Sequence, residues 1–132
     1  MTRTADTQIE QLNVLRERYA RDLPDKARVV EEAVDALELR WDRASLEALH
    51  HLAHRLAGSA AIYGFAAVSD AASSLELFVN AALESASPPA PSDLMATLRE
   101  RTTALVRAAV DEQIRGLRPS GKARSPTAQS GS

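Results

Sequence analysis

Three histidines stand close together in the stretch HHLAHRLAGSAAIYGF, residues 50–65, whose other residues are typical of a helix. Imidazole has a reference pKa of about 6.5, so one ring nitrogen commonly carries a free lone pair at neutral pH and can act as a nucleophile. At about 100° per residue, His54 lies roughly 165° from the centre of the leucine stripe of this helix. His54 is therefore predicted to face solvent, where an imidazole can react rather than pack.

Gly58 follows His54 by one helical turn, and it lies at neither a predicted cap nor a predicted turn. A glycine inside a helix costs about 0.8–1 kcal/mol relative to alanine, so its position needs a reason. Helical side chains lean toward the N-terminus, and a side chain at position 58 would therefore cover the imidazole. The missing side chain is predicted to leave room beside His54 for a group bound to the ring and for an approaching protein surface.

The elements that must position His54 are predicted to be helices. Alanine is the commonest residue, with 25 of 132 positions, and no alternating strand pattern competes with the helical spacing. The spacing predicts a first helix ending near Pro24, a second from Pro24 to about residue 39, a third from about 43 that breaks near Gly64, a fourth from about Phe65, and a fifth over about 92–116. The predicted fold is all-α, an antiparallel four-helix bundle with an additional N-terminal helix packed across one end.

Residues 1–117 are predicted to form this single domain, and residues 118–132 a disordered tail. The tail contains no Val, Ile, Leu, Met or aromatic residue, so it cannot bury enough surface to fold. The domain carries 13 basic and 18 acidic residues, a balance that argues against nucleic-acid binding. The chain has no cysteine, no signal-peptide pattern and no membrane-length apolar run, so we expect a soluble, monomeric, cytoplasmic protein.

The segment AHRLAGSAAIYGF, residues 53–65, resembles the signature of histidine-containing phosphotransfer (HPt) domains of bacterial phosphorelays. That signature is a histidine, a leucine two residues later, Gly-Ser at four and five, and a glycine that ends the helix. The positions are occupied here by His54, Leu56, Gly58, Ser59 and Gly64. Further along, Leu75-Glu76 is similar to the Leu-Glu pair that often closes the motif, and the similarity of arrangement covers about residues 8–116.

The resemblance implies that His54 accepts a phosphoryl group from the aspartyl phosphate of a receiver domain and passes it to another receiver in a multistep phosphorelay. Its implied partners are response-regulator receiver domains or a hybrid sensor histidine kinase. The sequence shows no acidic cluster around His54 for Mg²⁺ and no glycine-rich loop for ATP. We therefore expect a phosphocarrier without kinase activity that binds no cofactor, with Mg²⁺ supplied by the receiver.

Seven further residues are predicted to serve this site. Gly58, Arg55, Ser59 and Ala57 are expected to surround the phosphoryl group, and His50, His51 and Ala61 to contact the docked partner. Many HPt domains have a lysine three residues after the histidine, where this chain has Ala57. Arg55 is the nearest remaining cation in the sequence.

Two other interpretations of the same residues remain open. His50 and His54 are four residues apart, a spacing that can place two imidazoles on one metal ion, although Glu47 is the only carboxylate within one turn on their helix. The chain could also be a helical interaction module that docks a receiver without being phosphorylated.

Overall fold

The computed structural model describes residues 2–85 and 91–116, and the side chains over 6–85 and 92–116. Within these ranges the chain forms four α-helices and no strand: α1 (Thr2–Leu39), α2 (Arg43–Ile62), α3 (Ala66–Glu84) and α4 (Pro91–Gly116). Helices α1 and α3 each contact both α2 and α4, which closes the helices into a bundle. The prediction of an all-α bundle is confirmed for the described residues, none of whose helices is long and apolar enough to cross a membrane.

Each helix buries apolar residues spaced three or four apart, as expected for one face of a helix turned toward a shared core. Polar contacts between helices show that α1 and α4 run antiparallel. Arg99 of α4 donates to Asp35 near the end of α1, at 2.5 Å, and Gln113 donates to the carbonyl of Arg21, at 3.1 Å. The largest fully buried side chains are Leu23, Leu37, Leu49, Leu75, Leu98, Leu105, Val30, Val34, Val68 and Val79.

The predicted separate N-terminal helix is wrong, because Thr2–Leu39 is one continuous helix that contains Pro24. Proline removes one helical hydrogen bond and crowds the carbonyl four residues before it, which is why a break was expected there. The buried residues Tyr19, Leu23, Ala27 and Val30 keep their helical spacing across the proline, so the same face packs against the bundle on both sides of it. Burial of this uninterrupted face offsets the local cost of the proline.

The N-terminal part of α1 does not lie across the end of the bundle. Residues 6–15 are all exposed, including the apolar residues Ile9, Leu12 and Leu15 at helical spacing. Burial of α1 begins around Arg16, whose Nε donates to the carbonyl of Tyr63 at 2.7 Å. The predicted disordered tail, residues 118–132, lies outside the described residues.

Two short connections set the positions of the ends of α2. Asp42 caps its N-terminus, and the Asp42 carboxylate accepts from the backbone N–H of Ser45 at 2.8 Å, a bond that lowers the pKa of Asp42. At the other end Gly64 adopts φ +83°, while the N–H of Phe65 donates to the carbonyl of Ala60 at 2.8 Å. With the bond from Gly64 to the carbonyl of Ala61, this is a Schellman motif, and its left-handed residue favours glycine.

Gly116 ends α4 where the backbone approaches α1 closely. A Cβ atom at this position would lie 2.7 Å from the Cβ of Ala20 and 3.4 Å from the ring of Phe65. Gly116→Ala is therefore expected to destabilise the fold by about 1–2 kcal/mol, because the overlap outweighs the helix propensity gained. Urea denaturation measures the effect. Gly58→Ala is the matched control, since a Cβ there meets nothing within 4 Å, and equal stabilisation by both substitutions would contradict the close approach.

Candidate functional site

His54 lies on α2 beside α3, and its side chain is 68% exposed. Its Nδ1 atom is 2.7 Å from Oε2 of Glu76, which projects from α3. An ionised carboxylate can only accept hydrogen bonds, so Nδ1 carries the proton and donates it to Glu76. In the neutral ring, the lone pair is then on Nε2. The geometry thus selects the tautomer in which Nε2 can attack an electrophile.

Glu76 is the residue in contact with His54 that the sequence did not predict. In the sequence it belongs to the Leu75-Glu76 pair, with no link to His54. The helical hairpin supplies a signal that could have identified Glu76. Because the chain reverses at Gly64, residues of α2 and α3 that are about equally far from Gly64 lie side by side, and positions 54 and 76 are such a pair. The side chain of Glu76 is only 22% exposed, so its carboxylate is partly shielded from water.

The other two histidines occupy different surroundings. The ring of His50 is nearly parallel to that of His54, with the ring centroids 6.4 Å apart and an interplanar angle of 6°. Its Nε2 lies 3.8 Å from the same Oε2 atom of Glu76. His51 is exposed and meets His50 edge-on, at 5.8 Å between centroids. Two imidazoles therefore face one carboxylate, and the third faces solvent.

Gly58 leaves open space one turn after His54, because a Cβ built on it meets no atom within 4 Å. The next exposed residue on this side is Ala61, so only small groups adjoin the imidazole toward the C-terminal end of α2. This is the arrangement that the sequence predicted for these two residues. A partner surface can approach His54 from this direction without displacing a side chain.

Gly58→Leu is expected to slow the phosphotransfer that the sequence predicts at His54 by at least about tenfold, because the new side chain leans over the imidazole and keeps a partner's reacting group at a distance. Helicity should not fall, since leucine favours helix over glycine. Ala104→Leu, at an exposed position of α4, is the matched control. Transfer rates and circular dichroism check the prediction, and an unchanged rate in Gly58→Leu would contradict the role of the open space.

The remaining predicted neighbours do not meet the imidazole. Ala57 is buried, and its carbonyl accepts from the hydroxyl of Ser69 at 2.9 Å, so it contributes to the contact with α3 and not to an open surface. Ser59 bonds to the hydroxyl of Tyr19 of α1 at 2.5 Å. Burial raises the pKa of Tyr19, and the bond to Ser59 acts against that shift. The backbone carbonyl of Ala57 and the hydroxyl of Ser59 therefore hold α2 against α3 and α1, respectively.

Arg55 is exposed on the α1 side of α2, where it borders a groove of about 310 Å³ together with Lys26 and Val29. Among the described side chains, no hydrogen bond or ion pair joins Arg55 to His54 or Glu76. The structure thus gives Arg55 a place next to the site but no contact with the imidazole.

The metal interpretation depended on Glu47 as a third ligand. Glu47 instead pairs with Arg43 at 3.3 Å, on the first turns of α2. Within residues 2–85 and 91–116, no group of three histidine, aspartate or glutamate side chains is arranged to hold a metal ion.

The fold and the site together define a class of protein: an antiparallel helical bundle that presents an exposed histidine whose Nδ1 is held by a carboxylate. A family model, the Hpt domain, matches residues 4–108, and the chain therefore belongs to the Hpt domain family. Hpt domains carry out histidine phosphotransfer in phosphorelays and interact with the receiver domains of response regulators. The chain shows no significant match to a curated protein or to a solved structure.

Proposed function

We propose that His54 is the phosphoryl acceptor of this domain, and that it takes the group from the aspartyl phosphate of one receiver and passes it to another. In the first step Nε2 attacks the phosphorus, the N–P bond forms, and the P–O bond to the aspartate breaks with its electron pair leaving on the carboxylate. The second step is the reverse reaction on another receiver's aspartate. His54 ends each cycle unchanged.

The observation that carries the proposal is the 2.7 Å contact between Nδ1 of His54 and Glu76. It fixes the reactive lone pair on Nε2 of a ring that is largely exposed. When the N–P bond forms, the ring holds a substituent on each nitrogen and becomes positively charged. The carboxylate of Glu76 then faces that positive charge, and this interaction is stronger in the transition state than in the neutral starting ring.

We further propose that the chain is a carrier without kinase activity and that the receiver supplies Mg²⁺. Magnesium prefers oxygen ligands in octahedral geometry, usually including carboxylates. Of the carboxylates that the structure describes, the one in contact with His54 is Glu76, and its Oε2 is already bonded to Nδ1. The residues present at this site therefore do not fit a resident Mg²⁺ ion.

The test is phosphotransfer from a panel of phosphorylated receiver domains to the purified chain. We expect a label that is labile in acid and stable in alkali, as for a phosphoramidate, and that moves on to an unphosphorylated receiver when one is added. Label with the opposite stability, or none from any receiver of the panel, would contradict the proposal. Receiver binding without label would favour a docking module that is not phosphorylated.

A further inference from the structure

The carboxylate of Glu76 faces two imidazoles, and only one of them has a part in the proposed transfer. Oε2 of Glu76 is 2.7 Å from Nδ1 of His54 and 3.8 Å from Nε2 of His50. The side chains of His50 and Glu76 are 24% and 22% exposed, whereas that of His54 is 68% exposed. His50 and Glu76 thus shield each other from water at the base of the site.

We propose that His50 is a positioning residue for His54: its Nε2–H group attracts the Glu76 carboxylate and holds Oε2 on Nδ1 of the reactive ring. This inference rests on the proposed function of His54, because the value of the arrangement is that it keeps the lone pair of His54 on Nε2.

The argument begins with the carboxylate, which is an acceptor only. A carboxylate attracts an N–H dipole and repels a nitrogen lone pair, so it favours the tautomer of His50 that carries its proton on Nε2, facing Oε2. At 3.8 Å this is an electrostatic contact and not a hydrogen bond, so it does not compete with the shorter bond from His54. Partial removal of water strengthens such contacts, because the effective dielectric is lower there than in solvent.

Among the described side chains, Glu76 is the one charged partner of His50 across the helix boundary. On its own helix, His50 faces the rings of His51 and His54, and the Glu47 carboxylate one turn earlier is paired with Arg43. On α3 the contacting charged group is Glu76. A change at His50 should therefore act on His54 through Glu76.

The test measures the tautomer of His54 at pH 8 by ¹⁵N NMR of the ring nitrogens, together with the rate of phosphotransfer. His50→Ala removes the N–H group, His50→Phe keeps a flat ring without it, and His50→Gln keeps an N–H donor. His51→Ala is the matched control, since His51 lies next in sequence and has no contact with Glu76.

We expect the ratio of Nδ1–H to Nε2–H tautomers in His54 to fall about fivefold in the Ala and Phe variants, to recover in the Gln variant, and to stay unchanged in His51→Ala. Among the three His50 variants, the transfer rate should follow the same order as this ratio. A normal tautomer ratio in His50→Phe would show that ring packing suffices and would overturn the proposal. Equal effects of His50→Ala and His51→Ala on the tautomer ratio of His54 would also overturn it. The NMR result stands even if no receiver phosphorylates His54, so failure of the proposed function is distinguished from failure of this inference.

Discussion

His54→Gln is expected to lower phosphoryl transfer to the chain by about 1,000-fold or more, because glutamine has no nucleophilic nitrogen lone pair. The substitution should leave the fold intact, since the side chain is 68% exposed and contributes nothing to the core. Glutamine retains a polar group that can still contact Glu76, so the two helices keep a polar contact at this level. The measurement is the initial rate of label transfer from a phosphorylated receiver.

His51→Gln is the matched control for that experiment. His51 is a second exposed imidazole on the same helix, three residues before His54, and it has no carboxylate partner within the part of the chain that the structure describes. Its replacement should change the rate by less than about twofold, as expected for an exposed side chain at the edge of an interface. If His51→Gln abolished transfer and His54→Gln retained it, the acceptor would be His51, and our proposal for His54 would be wrong.

Glu76→Leu is expected to slow transfer by about 10- to 30-fold while leaving His54 in place. Hydrogen bonds to charged groups contribute about 1.5–3 kcal/mol, and solvent near the exposed imidazole screens this one toward the lower part of that range. A loss of about 1.5–2 kcal/mol in the transition state corresponds to the stated factor. Without Glu76, His54 also loses the contact that keeps its proton on Nδ1.

Two variants separate the chemistry of Glu76 from its packing. Glu76→Gln keeps an oxygen that can accept from Nδ1 but removes the negative charge, so its rate should lie between those of the wild type and Glu76→Leu. Glu47→Leu removes a carboxylate of α2 that pairs with Arg43 and not with His54, and it should leave the rate unchanged. A Glu76→Leu rate equal to that of Glu47→Leu would contradict the role of Glu76.

Periodicity along the sequence was sufficient to predict the helical class, the limits of α2 and the start of α3, because the apolar stripes of both helices are regular and these ends carry recognisable residues. It failed at Pro24. Local chemistry favours a helix start there, but the choice between one helix and two depended on whether Tyr19, Leu23 and Val30 are buried in one core, which is a property of the packed bundle. Tertiary burial outweighed a local preference.

The same distinction applies to the site: some of its features follow from one helix, and others depend on how the helices pack. His54 and Gly58 belong to one helical face, so their exposure could be read from the angle between residues. Ala57 lies at the edge of that face, where a small rotation of the helix decides burial, and contact with Ser69 of α3 placed it inside. Glu76 could not be linked to His54 without pairing α2 with α3, a step that a stripe within a single helix does not supply.

The Schellman turn at Gly64 has a consequence for evolution of the site. It fixes how far α3 is rotated about its own axis relative to α2, and one added residue would turn α3 by about 100°. Glu76 would then leave the face that meets His54, although both residues and both helices were unchanged. The contact that we propose to control the imidazole thus depends partly on the number of residues in a connection ten positions from His54, and an insertion there is expected to slow transfer as loss of the carboxylate does.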